Sequence, residues 1–402
     1  MTIEIRNPAE DEWRAAMLMT SSVFGDEPND DALERNRKTL VRERFWVAYD
    51  DDVPVGTAAD FPFALTVPGG GEVPTGGVTW VAVLPSHRRQ GVLTQLMRRE
   101  LDDIHERGEP LAILWASEAA IYGRFGYGLA APHFEMDGDR SRFALRDDPG
   151  PQGKVRMLPL EDAVDPVMHV YERVRPTVPG FLARSRDWWT SYRLADQEQW
   201  RQGASPKYVA VLELDGEPAA YAIYRIKSAW EAGFPKSTVR VVEALAASTA
   251  AERELWRFLF GIDLAVRVDS RLDPASPLFL MAVDARSLNL RAWEGLWLRI
   301  VDVEGALKAR SFATDDELIL EVRDEFCPWN AGRWAVGREI GRTDADADLE
   351  LDVADLASTY LGAFSFSRLA AAERVRVLED GALERADALF RTPRPPYCPE
   401  DF

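Results

Sequence analysis

"VAVLPSHRRQGVLTQLMRREL", residues 81–101, is the stretch on which the reading of the chain turns. Val78 to Leu84 is apolar and β-branched with Trp80 in its middle, the composition of a buried strand. Pro85 and Ser86 end it. From Leu93 the apolar residues Leu93, Leu96, Met97, Leu101 and Ile104 recur at helical spacing. The segment Arg88-Arg89-Gln90-Gly91 therefore sits where a strand hands over to a helix N-terminus. There the first backbone N–H groups are unpaired and carry partial positive charge. Gly91 has no Cβ to hold a ligand off the backbone, and two arginines add fixed charge. Together these features describe an anion cradle suited to a pyrophosphate. An arginine-rich helix start on an ordinary surface has the same local sequence, so the rest of the chain has to separate the two.

The 402 residues, 46% hydrophobic and 29% charged, suit a globular protein of two or three domains. A net charge of −19 argues against a nucleic-acid backbone as partner. It favours a cationic small molecule, whose approach it would speed, although solubility alone also accounts for much surface charge. Two cysteines, Cys327 and Cys398, make no disulfide framework, so a reducing, cytoplasmic setting is expected. The opening "MTIEIRNPAEDEW" has no apolar core of a secretion signal. No run reaches the ~18 apolar residues of a membrane span. His87, His105, His133 and His169 are scattered without ligand spacing, and no metal is expected.

The chain reads as three α/β segments. In the first, "IEIRNP" is a strand, "AEDEWRAAMLMTSSVFG" a helix followed by a loop, and "RFWVAYDDDVPVGTAADFPF" a hairpin with an Asp-rich turn. The strand–helix unit from Val78 follows, then a buried strand "PLAILWAS" and a short helix "EAAIYGRFGYG" closing on glycines. "DDPGPQGK", 147–154, has linker composition. In the second segment "KYVAVLELDGEPAAYAIYRIK" repeats the hairpin and "VRVVEALAASTAAERELWRFLFGID" repeats the strand and helix. Where the first copy has "PSHRRQGV" the second has "AASTAAER", so a duplicated domain with one working anion loop is the simplest reading. In the third, "LWLRIVDVEGALKARSF" is a strand then a helix, and "DDELILEVRDEFCPWNAGRWAVG" two strands around a turn. The stretches 351–380 and 381–390 read as helices, with Asp352 as N-cap and Gly362 as a stop. The last twelve residues, "RTPRPPYCPEDF", hold four prolines and should be extended and stiff, at ~3.1 Å per residue long enough to reach another domain.

The "VAVLPSHRRQGVLTQLM" unit with the following "LAILWAS" strand resembles the GNAT acetyltransferase superfamily, in which the R/Q-x-x-G-x-G/A loop binds the pyrophosphate of acetyl-CoA. Leu93 stands where that motif has a small residue. Over essentially the whole chain the sequence is similar to a narrower family, the enhanced intracellular survival (Eis) N-acetyltransferases of actinobacteria. That resemblance rests on "SHRRQGVL" after "VAV", on Ala116 to Gly128 with its "IYGRFGYG" octet, on "GLWLRI" at 295–300, and on the ending Asp401-Phe402. It implies a catalytic GNAT domain over 1–147, a degenerate GNAT-like domain over 148–294, and a sterol-carrier-protein-like domain over 295–402 that carries the tail. It further implies acetyl-CoA as donor, a hexamer, and transfer of acetyl groups to several amines of aminoglycosides.

The resemblance also assigns roles. Tyr122 of "IYG" would be the acid that protonates the leaving thiolate; on spacing alone Tyr127 is an equal candidate. The terminal carboxylate of Phe402 would be the base. The backbone of Val81, Ala82 and Val83 would meet the pantetheine arm, and Arg88, Arg89, Gln90, Gly91, Val92, Leu93 and Thr94 the pyrophosphate. Ser117 and Glu118 would flank the cofactor. Asp26, Trp80, Trp115 and Asp401 fall at or beside the family's substrate-pocket positions. Trp80 replaces a family Phe and Trp115 a family His, which predicts a bulkier pocket wall, and Asp401 stands where Glu is more usual.

Two other readings compete. One is a protein-lysine or polyamine N-acetyltransferase on the same fold. The other is a non-enzymatic acyl-CoA- or lipid-binding scaffold, suggested by the third segment. The intact Arg-Arg-Gln-Gly loop, Tyr122 and Phe402 argue against the scaffold.

Overall fold

The computed structural model describes residues 3–402 except 29, 148 and 151. Residues 1 and 2 of the opening stretch, and Asp148 and Pro151 of the expected linker, lie outside the described residues. The chain forms two compact units. Unit 1 contains the chain up to Ala131, Gly295–Pro396 and Glu400–Phe402; unit 2 contains Pro132–Glu294 and Tyr397–Pro399.

Unit 1 begins with β1 (Glu4–Arg6), α1 (Trp13–Phe24) and α2 (Asp30–Thr39). The loop expected after α1 is thus partly the helix α2. Its sequence DDALERNRKT buries only Ala32 and Leu33, too narrow a stripe for periodicity to reveal. Then come β2 (Phe45–Asp50), β3 (Val53–Thr66), β4 (Glu72–Val83), α3 (Val92–Glu106), β5 (Leu111–Trp115) and α4 (Ala119–Tyr122). The β2–β3 turn is Asp51-Asp52, both at positive φ (47° and 65°), the left-handed pair that matches the twist of a tight hairpin. The face of α3 bearing Leu96, Met97, Leu101 and Ile104 is buried as the spacing predicts. β4 and β5 run parallel, but their pairing covers only Thr75–Gly77 against Leu111–Ile113. Beyond it they part, leaving Val78–Val83 without a partner on the β5 side.

β6 (Gly128–Asp139) leads into unit 2, where residues 134–139 pair with β13. Unit 2 contains β7 (Lys154–Leu158), α5 (Leu160–Val174), α6 (Arg186–Trp188), β8 (Tyr208–Leu214), β9 (Glu217–Lys227) and the small ribbon β10 (Trp230–Glu231)–β11 (Phe234–Pro235). β12 (Ser237–Ala246), α7 (Thr249–Gly261), β13 (Ala265–Leu272) and α8 (Leu278–Met281) complete it. The repeat read from the sequence is visible in its details. The β8–β9 turn, Asp215-Gly216, again has two positive φ values (53° and 85°). β12 and β13 are again parallel and again stop pairing partway, at Arg240–Asp269. The helix after β12 differs. Ser248 caps α7 by accepting a hydrogen bond from the Ala251 N–H, so this helix start satisfies itself.

β14 (Arg291–Ile300) returns to unit 1, where Leu296–Ile300 lie antiparallel to β5. The remainder is α9 (Val303–Ala309), β15 (Leu318–Arg323), β16 (Gly332–Val336), β17 (Gly341–Arg342), β18 (Leu349–Asp352), α10 (Val353–Tyr360), α11 (Phe366–Ala371), β19 (Val375–Val377) and α12 (Ala382–Phe390), with sheet order β17-β16-β15-β18-β19. Asp352 caps α10 through the Ala354 N–H and Gly362 stops it at φ +91°, as read. The helical reading fails at two places. Leu349–Asp352 and Val375–Val377 are strands paired with each other; tertiary pairing overrides local pattern in such short segments.

The "IYGRFGYG" octet now has a physical reason. A Cβ on Gly126, at φ +82°, would stand 2.5 Å from the Arg299 guanidinium, and one on Gly128 would stand 1.9 Å from the Ala354 carbonyl. Both glycines allow this stretch to lie directly on β14 and α10. Arg299 itself is fully buried and paired with Asp324.

Candidate active site

The parting of β4 and β5 opens two adjoining recesses in unit 1. The larger, about 630 Å³, is lined by Val81–Val83 on one side and by Ser117 and Glu118 on the other. Its floor is Arg88, Arg89 and Gly91–Thr94. Every expected cofactor residue lines it except Gln90, whose amide turns back to donate to the Ser86 carbonyl (3.0 Å). His87, Ile121 and Arg124 also line it and were not singled out from the sequence.

The local geometry fits an anion. The first helical bond of α3 is Gln95 N–H to the Gly91 carbonyl, so the N–H groups of Val92, Leu93 and Thr94 precede it. Gly91, the N-cap, has φ +82° and no side chain to take those N–H groups, and a Cβ built there would meet nothing within 4 Å. Arg89, also at positive φ (62°), and Arg88 are exposed beside it. α7, capped by its own serine, offers no such open start. On β4, Leu84 N–H bonds to the Val55 carbonyl of β3, so by alternation Val83 directs its backbone groups away from β3, and its carbonyl meets Arg88 Nε at 3.4 Å.

The second recess, about 270 Å³, brings together Tyr122, Phe402, Asp26, Trp80 and Trp115. Asp401 is exposed and is not among the residues lining it. α1 supplies Thr20, Ser21 and Phe24, which carry no sequence motif and were missed. Phe24, Val81, Ser117 and Tyr122 line both recesses, so the two meet beside Tyr122.

Tyr122 ends the short helix α4 and is almost completely buried. Burial, with the negative charge of Glu118 beside it, pushes its hydroxyl up to about 12. Tyr127, the alternative, packs edge-on against it with ring centroids 5.9 Å apart and lines neither recess. The tail has no regular structure after Phe390, yet Tyr397, Cys398 and Glu400 are buried. Within unit 2, Tyr397 N–H donates to the Pro179 carbonyl (2.9 Å) and Arg193 to the Pro399 carbonyl (3.1 Å). In unit 1 the Phe402 ring meets Phe63 edge-on at 5.0 Å. Both rings lie over Gly77, where a Cβ would come within 2.3 Å of Phe63 and 3.4 Å of Phe402.

Trp80 carries backbone strain. Its φ is +55°, at a bulge where the β3–β4 register passes from Thr57↔Ala82 to Ala59↔Thr79. A bulky residue in that region costs about 1–3 kcal/mol. Neither cysteine lines the recesses; Cys327 and Cys398 are buried, and burial pushes the Cys327 thiol up to about 11. Among the described residues no group of His, Cys, Asp and Glu could hold a metal ion, and no helix is long and apolar enough to cross a membrane.

Comparison with known proteins gives a consistent picture. Models of acetyltransferase (GNAT) domains match residues 4–130 and 180–300, and a sterol carrier protein domain matches 303–399. An uncharacterized N-acetyltransferase of Streptomyces avermitilis is 42% identical, covering all of both chains. N-acetyltransferase Eis of Mycobacterium tuberculosis is 35% identical, again over all of both. Among solved structures, Eis1 of Mycobacterium abscessus superposes with a TM-score of 0.88 at 32% identity, covering 99% of this chain and 100% of that one. A GCN5-related N-acetyltransferase of Anabaena variabilis, 21% identical with full coverage of both chains, shares the fold at a TM-score of 0.86.

Proposed function

The chain belongs to the Eis-like N-acetyltransferases of the GNAT superfamily, and from that premise we propose that it acetylates several amines of aminoglycoside-like polycations by direct transfer from acetyl-CoA. The observation that carries this reading is the convergence of Tyr122, the chain terminus and Asp26 on one recess that adjoins the open start of α3.

Acetyl-CoA supplies an activated acetyl thioester. The α3 N–H groups with Arg88 and Arg89 hold its pyrophosphate, and the backbone along Val81–Val83 holds its pantetheine arm. Asp26 draws a cationic acceptor toward the smaller recess, and Trp80 and Trp115 give its sugar rings flat apolar faces. The Phe402 carboxylate accepts the amine's proton. A carboxylate is a weak base, sufficient because the nitrogen becomes strongly acidic as it bonds to carbon. Tyr122 donates to the departing thiolate.

On this reading the catalytic domain spans 1–147, the degenerate copy 148–294 and the sterol-carrier-like domain 295–402. The assembly is a cytoplasmic homohexamer with no nucleic-acid partner and no metal. The test is to incubate the protein with acetyl-CoA and kanamycin and count acetyl groups by mass spectrometry. Two or more per molecule are expected. None, with acetyl-CoA still bound, transfers the assignment to a protein lysine or another amine.

A further inference from the structure

The strained residue Trp80 is held by a hydroxyl chain. Thr57, fully buried in β3, gives its hydroxyl proton to the Trp80 carbonyl at 2.7 Å. The Thr20 hydroxyl on α1, also buried, lies 2.8 Å from that of Thr57 and 2.9 Å from the Ala16 carbonyl one turn back. A hydroxyl has one proton. With that of Thr57 committed to Trp80, Thr57 accepts in its contact with Thr20, whose one proton is shared between Thr57 and the Ala16 carbonyl. The two hydroxyls therefore link α1 through β3 to the Trp80 carbonyl of β4.

Its two ends matter. Thr20 and Trp80 both line the smaller recess, on opposite elements; Thr57 does not line it. At the bulge Trp80 and Val81 together face Ala58, so the regular ladder no longer supplies an amide for the Trp80 carbonyl, and a side chain supplies the donor instead. We propose that Thr57 is a positioning residue. Its hydroxyl fixes the left-handed backbone of Trp80, and with it the wall against which the acceptor amine is presented, and it ties that wall to α1. This rests on the reading of the smaller recess as the acceptor site.

The test uses the full chain labelled with 5-fluorotryptophan, the Trp80 fluorine resonance being the one lost in Trp80→Phe. Thr57→Val keeps the side-chain shape without the hydroxyl, and Thr57→Ser keeps the hydroxyl. The valine variant should shift or broaden the Trp80 resonance, lower kcat/KM for kanamycin about tenfold and change its distribution of acetylated products, with the acetyl-CoA Kd within about twofold of the parent. The serine variant should restore the resonance and most of the rate. An unmoved Trp80 resonance, an unchanged kcat/KM in the valine variant, or a serine variant as impaired as the valine one overturns the proposal. Should the valine variant not fold, Thr20→Val, which removes the hydroxyl that meets Thr57, must move the same resonance. If the parent enzyme leaves kanamycin unmodified, the acceptor reading fails while the fluorine measurement still decides the role of Thr57.

Discussion

Replacing Tyr122 with phenylalanine removes one hydroxyl from a buried residue, and the size of the loss follows from its surroundings. The phenol is held at about 12 by burial and by Glu118. A thiol titrates near 8.5, so complete proton transfer to a free thiolate would be uphill by about 3.5 pK units, or about 5 kcal/mol. On the proposed mechanism Tyr122 therefore stabilises the departing sulfur chiefly as a hydrogen-bond donor to developing charge, a contribution of about 1.5–3 kcal/mol. That converts to a fall in kcat of about 10- to 150-fold for Tyr122→Phe. Acetyl-CoA affinity, set by α3 and β4, should remain. Because the pKa is raised, the donating form persists until the pH approaches 12, so kcat should show no alkaline limb from this group between pH 6 and 10. The assay is thiol release followed in steady state across that range for both proteins. A kcat within about twofold of the parent removes Tyr122 from the reaction. An alkaline limb near pH 9 present only in the parent refutes the account of its environment.

Extending the chain by two glycines moves the terminal carboxylate by as much as about 7 Å, and kcat should fall by about 10²-fold or more while the acetyl-CoA Kd holds; equal rates for the extended and parent chains would rule out the Phe402 carboxylate as base. Gly91→Ala meets open space but must hold φ +82°, so it should cost about 1 kcal/mol in stability and weaken acetyl-CoA binding, read by calorimetry. In unit 2, Glu243 is fully buried; burial alone would raise its pKa, but Arg184 and Arg193 hold it down at about 2. A carboxylate so depressed contributes stability that is complete above about pH 4.5 and lost as the pH falls toward 2, up to about 3 kcal/mol. Arg184→Met should cost about 3–5 kcal/mol in urea unfolding at pH 7 and flatten that acid limb; an unchanged midpoint would contradict it.

Much of this was legible because it is local. The strand–loop–helix from Val78 could be read residue by residue, since Pro85 ends a strand and α3 buries one regular stripe. The duplication showed as two hairpins with left-handed acidic turns, and the missing loop of the second copy as Ser248 in place of an arginine–glycine run. What escaped depends on contacts across the fold. Nothing in α1 marks Thr20, Ser21 and Phe24 as pocket residues, because their role comes from lying across the gap between β4 and β5. Gln90 belongs to the motif, yet its side chain turns to Ser86. Asp401 is exposed and does not line the recess that Asp26 lines. The strain at Trp80 is invisible in sequence, since a bulge is a property of register between two strands.

The strand β14 also sets a schedule for synthesis. β5 is complete at residue 115, but the strand that covers its free edge is not made until residues 296–300. At ribosomal rates of about 5–20 residues per second, roughly 10–40 s separate the two. Throughout that interval β5 presents a row of unpaired backbone groups in an apolar setting, the kind of template on which strands from other chains add. The nascent enzyme is thus most exposed to aggregation midway through translation, and a fragment ended at residue 147 would keep that exposure permanently.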